Sequence, residues 1–337
     1  MTETLKYIQF GLGPIGERVV KYGFDRGNLE LESAIDIDPA KAGKDVGELI
    51  GNGRYGVKVR NDTENVLKNS AAKIVVLTTV SNLADLMDQI NLCIKYGKNV
   101  VSSTEELAFP WSENVSLARK IDEQAKDAGV TVLGTGVNPG FLMDALPIFL
   151  TSACQQVDSI RIERHQDASI RRLPFQKKIG AGLSVKDFKK LVSEKIIRHV
   201  GFSESIQMIA NSMGWELDRT VDIVEPVIAK KDVESQFLKV SKGQAAGVWQ
   251  TGQGFINGNA VITLELQAYL GHPNPKDSVR IEGDPPIYSE IKGGVNGDIA
   301  TCAMLVNAIP KVIAAAPGLK TIPDVGLVSW FRAYNHA

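Results

Sequence analysis

The chain has 337 residues, 44% hydrophobic and 23% charged, with a formal net charge of -1. That is enough for one large or two ordinary domains with a sizeable core, and the near-neutral balance, without a lysine–arginine run, argues against nucleic acid or an anionic membrane as partner. No apolar stretch reaches the ~20 residues of a membrane span, the opening MTETLKYIQF lacks a signal-peptide pattern, and three dispersed cysteines (Cys93, Cys154, Cys302) suit a reducing, cytoplasmic compartment. Four scattered histidines give no metal-ligand spacing, so no metal is expected.

In chain order, residues 7–10, 31–36, 73–79, 99–103 and 130–136 read as short, nearly continuous apolar strands. Helical patterns lie between them, such as NLADLMDQINLCIKYGKN, which ends near Gly97. Strands alternating with helices predict a doubly wound parallel sheet, a Rossmann-type α/β domain over 1–141. Beyond Pro139 the pattern changes to period-2 alternation, as in DSIRIERHQD, ESQFLKVSKG, GNAVITLELQAYL and DSVRIEGD. Together with helical stretches near 184–198 and 203–214 and a hairpin turn at INGN (256–259), this predicts a second α+β domain over 142–297 with an open mixed or antiparallel sheet. The last stretch, 298–337, turns helical and is expected to pack back onto the first domain.

YIQFGLGPIGERVVKYG places G-x-G-x-x-G at Gly11, Gly13 and Gly16 between a strand and a helix. Such glycines permit a tight turn, backbone approach to a pyrophosphate and close helix–strand packing, while the helix N-terminus attracts the phosphates. Pro14 suits the first helical turn, with Ile15 beside it. Asp36 closes the second strand roughly 20 residues on, where a carboxylate accepts from ribose hydroxyls. This points to NAD as cofactor. Lys41 and Lys44 leave NADP open as a second one, although plain surface lysines are the simpler reading. The switch-point rule puts chemistry off the carboxyl ends of the strands: Thr78 and Thr79, the Ser102–Glu106 stretch, and GTGVNPGF with Asn138 and Pro139.

VVSSTEELAFPW sets Glu105 and Glu106 side by side where a core strand ends. Ser103-Thr104-Glu105-Glu106 fits a capping box, which gives Glu106 a structural task and leaves Glu105 either a charge favouring a helix N-terminus or a reactive carboxylate.

At this point the sequence resembles a family. The glycine fingerprint, SSTEELAFPW, GTGVNPGFLMDALP, IGAGLSVKDF, RHVGFSES and GGVNGDIATCAMLVNAIPKV together resemble the 2,4-diaminopentanoate dehydrogenases and related NAD(P)-dependent amine dehydrogenases, which share the dihydrodipicolinate reductase architecture. The resemblance implies reversible oxidative deamination of an amine, or reductive amination of a ketone or aldehyde with ammonia. It implies Glu105 as the catalytic carboxylate, with Glu106 as the alternative. A carboxylate there would take a proton from ammonium and favour a cationic iminium. The resemblance also implies a substrate pocket walled by Phe141, Leu142, Leu146, Phe202, Met208 and Thr301, near His165 and His199, and a homodimer formed through GVWQTGQGFI and AVITLELQAYL. For both histidines a structural role is the simpler reading, as a turn is for Asp167. The histidine pair and SGTA stretch of dihydrodipicolinate reductases are absent, and Glu105 stands where homoserine dehydrogenases place a lysine. The remaining alternatives are 2,4-diaminopentanoate dehydrogenase proper and a dinucleotide-sensing regulator without turnover.

Overall fold

The computed structural model describes residues 4–332. The chain forms two compact units, one running to Phe141 and resuming at Asn296, the other Leu142–Val295.

In the first unit β1 (Leu5–Phe10), α1 (Pro14–Phe24), β2 (Leu29–Ile35), a two-residue β3 (Val59–Arg60), β4 (Ile74–Leu77), α2 (Leu83–Lys95), β5 (Asn99–Ser102), α3 (Val115–Asp127) and β6 (Thr131–Gly134) alternate. A closing strand, Gly318–Lys320, completes a seven-stranded parallel sheet in the order closing strand, β6, β5, β4, β1, β2, β3. All four residues of β4 and of β6 are buried, because helices cover both faces of the sheet. On one face Leu86, Ile90 and Ile94 of α2 and Ala118, Ile121 and Ala125 of α3 pack with Val75, Val100 and Val132. Each such large aliphatic side chain taken from water stabilises the fold by ~1.5–3 kcal/mol.

The closing helix, Gly297–Ala314, is long and apolar enough by length and composition to cross a membrane. Its apolarity has a local use: Cys302, Leu305, Val306, Ile309 and Val312 are buried, and the helix packs against α1 and β5. The Asn296 side chain accepts from Asp298 N (3.1 Å) and Ile299 N (3.2 Å). That cap belongs with the helix, so the chain re-enters the first unit at Asn296, two residues before the expected boundary. β3 and the closing strand, two and three residues long, carry too little periodicity to be read in advance.

In the second unit β7 (Gln156–Asp167), α4 (Val185–Ser193), α5 (Phe202–Met213), β8 (Arg219–Ile228), β9 (Ala245–Ile256), β10 (Asn259–Tyr269), β11 (Lys276–Asp284) and β12 (Ile287–Lys292) build a mixed six-stranded sheet, ordered β12, β11, β7, β10, β9, β8. Only β7 and β10 run parallel. The hairpin turn falls where expected, with Asn257 at φ 50° and Gly258 at φ 78°, the primed-turn geometry that matches strand twist. Phe202 and Ile206 of α5 press onto β9 at Gly252 and Gly254. In register, Gly252, Leu264 and Ile162 share that helix-covered face. The alternate residues Trp249, Gln267 and His165 therefore project from the other face.

Candidate active site

The glycine loop joins β1 to α1. Gly11 has φ 91°, and a Cβ on Gly16 would sit 1.9 Å from the Gly11 carbonyl oxygen, so both glycines are required by the fold. Gly13 differs. Its φ of -72° and ψ of -176° suit any residue, and a Cβ there would meet no protein atom within 4 Å. Protein packing leaves its lack of a side chain unexplained, whereas close approach of a ligand's phosphates to the backbone accounts for it. The first turn of α1 has no side-chain cap and carries Pro14, so the N–H groups of Ile15 and Gly16 and the helix dipole face that approach. The Ile15 carbonyl accepts from Cys302 Sγ (3.5 Å). The residues present fit a dinucleotide pyrophosphate.

Beneath the loop lies a residue that sequence reading passed over. Gln9, fully buried in β1, donates from Nε2 to the Gly11 carbonyl and to Thr78 Oγ1, both at 2.8 Å. Thr78 Oγ1 in turn donates to Gly11 O (2.9 Å). The signal was available in YIQF: an amide inside a wholly buried strand must find partners. Thr79 is exposed, and its hydroxyl bonds Gln89 Oε1 at 2.8 Å.

Asp36 follows β2 directly. Its carboxylate accepts from Leu12 N (2.7 Å) and Asp38 N (2.9 Å) and lies 3.3 Å from Lys41 Nζ. Burial opposes its ionisation, but those two N–H groups and the Lys41 ammonium outweigh burial and hold its pKa below the usual carboxylate range. Lys41 Nζ also donates to the Leu12 carbonyl (2.7 Å), so it is no plain surface lysine. Lys44 is exposed.

The hydroxyl-rich end of β5 forms a latch. Ser102 Oγ donates to the Leu77 carbonyl (3.0 Å), Thr104 Oγ1 donates to the Val80 carbonyl (2.6 Å), and the two hydroxyl oxygens lie 3.0 Å apart. Both residues are buried. The latch fixes Thr104 at the head of a single 3₁₀ turn, Glu105–Leu107, and Gly134 lets the end of β6 close on that turn, since a Cβ there would sit 2.5 Å from the Leu107 carbonyl carbon. The expected capping box does not form: Thr104, not Ser103, precedes the turn, and no side chain caps it. Glu106 instead reaches a different helix, where its Oε2 accepts from Leu83 N at the start of α2 (2.8 Å). The chain folds β4 and β5 side by side, and that long-range neighbour wins over the local box. Glu105, the first residue of the turn, is half-buried.

The GTGVNPGF loop follows β6. Asn138 is buried, the Asn138–Pro139 peptide is cis, and Thr301 Oγ1 on the closing helix accepts from Val137 N (3.2 Å). Phe141 ends this stretch half-buried. Among residues of the second unit, Leu142, Phe202 and Met208 are core side chains, while Leu146 is half-buried. The backbone of His199 exchanges two bonds with the Gln250 amide (2.7 and 3.1 Å). Burial, with Lys178 and Arg164 nearby, pushes its pKa down to about 3, so the ring is neutral. His165 corrects the expectation that grouped it with Phe202. Alternation along β7 puts it on the opposite face of the sheet, where Nε2 lies 3.1 Å from Glu265 Oε1 and the ring stands 5.1 Å from that of His272. Asp167 serves its turn, accepting from Ser169 N and Gly271 N.

Residues 141–334 match the family model of the 2,4-diaminopentanoate dehydrogenase C-terminal domain, and residues 6–131 match that of the dihydrodipicolinate reductase N-terminus. The 2,4-diaminopentanoate dehydrogenase of Acetoanaerobium sticklandii is 34% identical over 345 residues, covering 96% of this chain and 94% of that protein. The chain belongs to the 2,4-diaminopentanoate dehydrogenase family. With membership in this family goes its class, an oxidoreductase acting on amines. An amine dehydrogenase of Streptomyces virginiae is 24% identical over 348 residues, 95% of this chain and 96% of that one. In fold, the chain is similar to the amine dehydrogenase structure from Mycobacterium smegmatis, with a TM-score of 0.85 at 24% identity and 98% of each chain covered. The α/β architecture with its parallel nucleotide-type sheet is that of the family.

Proposed function

We propose that this protein is an NAD(P)-dependent amine dehydrogenase in which Glu105 is the catalytic carboxylate. The observation that carries this reading is position: Glu105 is the first residue of the turn at the carboxyl end of β5, directly after the buried Ser102–Thr104 latch. A carboxylate at the carboxyl end of a central strand stands where a doubly wound sheet places its chemistry.

When bound, the nicotinamide supplies a hydride acceptor, or a donor in the reverse direction. Glu105 supplies proton transfer and charge. In the aminating direction its carboxylate takes a proton from ammonium, which frees the nitrogen lone pair to attack the carbonyl carbon. It then returns the proton to the carbinolamine oxygen as water departs, and its negative charge favours the iminium cation left behind. Asp36 accepts from the adenosine ribose hydroxyls, and the first turn of α1 takes the pyrophosphate. Thr78, Asn138, Pro139, Phe141 and Thr301, all in the first unit, are proposed to line the site.

The enzyme is further proposed to be cytoplasmic and homodimeric through the face of the second unit's sheet opposite α5, which exposes Trp249 and Ile223. The deciding experiment is NADH consumption across a panel of ketones and aldehydes, cyclohexanone included, with and without ammonia. Ammonia-dependent turnover that Glu105→Gln abolishes is the expected result. Turnover unchanged in Glu105→Gln would remove the mechanism, and no turnover of any amine or carbonyl by the wild type would favour a dinucleotide sensor. Sedimentation as a monomer at micromolar concentration would refute the dimer.

A further inference from the structure

We infer that Lys41 is the cofactor-selecting residue of this chain, admitting a 2′-phosphorylated dinucleotide to a site that Asp36 alone would close to it. The inference rests on the dinucleotide site proposed above. An isolated carboxylate at the end of β2 repels a phosphate carrying between one and two negative charges. Here the carboxylate is not isolated. Lys41 Nζ lies 3.3 Å from Asp36 Oδ2, which brings the local charge close to zero.

The ammonium is also anchored. It donates to the Leu12 carbonyl at 2.7 Å, while Asp36 Oδ2 accepts from the N–H of the same residue at 2.7 Å. The ion pair thus grips both polar groups of Leu12, inside the G-x-G loop, and the charge stays in place without ligand. An ammonium has three donors. Leu12 O and Asp36 engage two, and the third remains for a phosphate oxygen. The site is not sealed from solvent either: the Lys41 side chain retains 24% exposure, and Ile37, next to Asp36, is 84% exposed. Lys44, exposed and three residues further on, contributes its backbone to the loop, with its N–H bonding the Lys41 carbonyl (3.1 Å) and its own carbonyl accepting from Val59 N (2.9 Å). A ribose with free hydroxyls uses the Asp36 face of the pair, and a 2′-phosphate uses the Lys41 face.

The test is direct binding of NADH and NADPH, by fluorescence titration without substrate, to the wild type, Lys41→Met, Lys41→Arg and Lys44→Met. The expected result is a selective loss in Lys41→Met: NADPH weakens by about tenfold or more, the scale of one hydrogen bond to a charged group, while NADH changes by less than about threefold. Lys41→Arg restores NADPH binding, and Lys44→Met leaves the ratio of the two affinities unchanged. Raising the salt concentration should weaken NADPH more than NADH in the wild type, and this difference should shrink in Lys41→Met. Equal weakening of both dinucleotides in Lys41→Met would overturn the inference and reduce Lys41 to a clamp on Leu12. An unchanged ratio, or wild type that binds NADH but not NADPH, would overturn it as well. Wild type that binds neither would instead overturn the underlying dinucleotide site.

Discussion

Gly13 and Gly16 belong to one fingerprint, yet the structure gives them opposite reasons to be glycine, and alanine at each separates the two. In Gly16→Ala the new methyl would start 1.9 Å from the Gly11 carbonyl oxygen, 2.8 Å from Thr78 Oγ1 and 2.9 Å from Gln9 Nε2. The first is a backbone atom in a loop tied down by Gln9 and Thr78, so relief requires moving α1 off β1. Overpacking of this kind costs ~1–3 kcal/mol, and the upper end is expected here. In Gly13→Ala the methyl meets no protein atom. Replacing glycine in an ordinary conformation stiffens the unfolded chain, a gain of ~0.4–1 kcal/mol. Against this stands the poorer N-cap preference of alanine, ~0.5–1 kcal/mol, so the net change is close to zero. The methyl does occupy the approach to the α1 N-terminus, and cofactor affinity should fall at least tenfold, a loss of about 1.4 kcal/mol. Urea unfolding without ligand and NADH titration, run on both variants, give the comparison. Gly13→Ala binding NADH as tightly as wild type would refute the assignment of that open space to the cofactor.

Other outcomes follow from the same geometry. Glu105→Gln should lower ammonia-dependent turnover by about 10²–10⁴-fold with NADH affinity unchanged, whereas Glu106→Gln should cost less than about tenfold and act chiefly on stability, by ~0.3–1 kcal/mol at the α2 N-terminus; steady-state kinetics beside thermal unfolding distinguish the two. Thr104→Val removes the donor to the Val80 carbonyl and one member of the latch, so it should destabilise by ~1–3 kcal/mol and lower kcat while leaving NADH binding intact; a kcat equal to wild type would show that the latch does not position Glu105. His199 takes up a proton near pH 6.5 in the unfolded chain but only near 3 in the fold. Its contribution to stability is therefore full above about pH 6.5 and is lost as the pH falls towards 3, at most ~2 kcal/mol between pH 6.5 and 5. Thermal midpoints at pH 7, 6 and 5 should show a flatter acid slope for His199→Gln than for wild type.

What the sequence determined by itself was whatever local pattern dictates. Five parallel strands announced themselves because a strand buried on both faces must be apolar throughout, and the glycine fingerprint did so because turn, close approach and packing each exclude a side chain at a fixed spacing. The hairpin at Asn257–Gly258 is local in the same sense. Tertiary structure decided the matters that depend on neighbours distant in sequence. SSTEE fits a capping box, but β4 lies beside β5, so Ser102 and Thr104 bond the Leu77 and Val80 carbonyls and Glu106 bonds Leu83 N. Lys41 reads as a surface lysine until the turn after β2 brings its ammonium against the Leu12 carbonyl. His165 and Phe202 appear to share a pocket until strand alternation and sheet order put them on opposite faces. Periodicity tells which side chains are buried, but not which partner satisfies a polar one, because that partner comes from another strand.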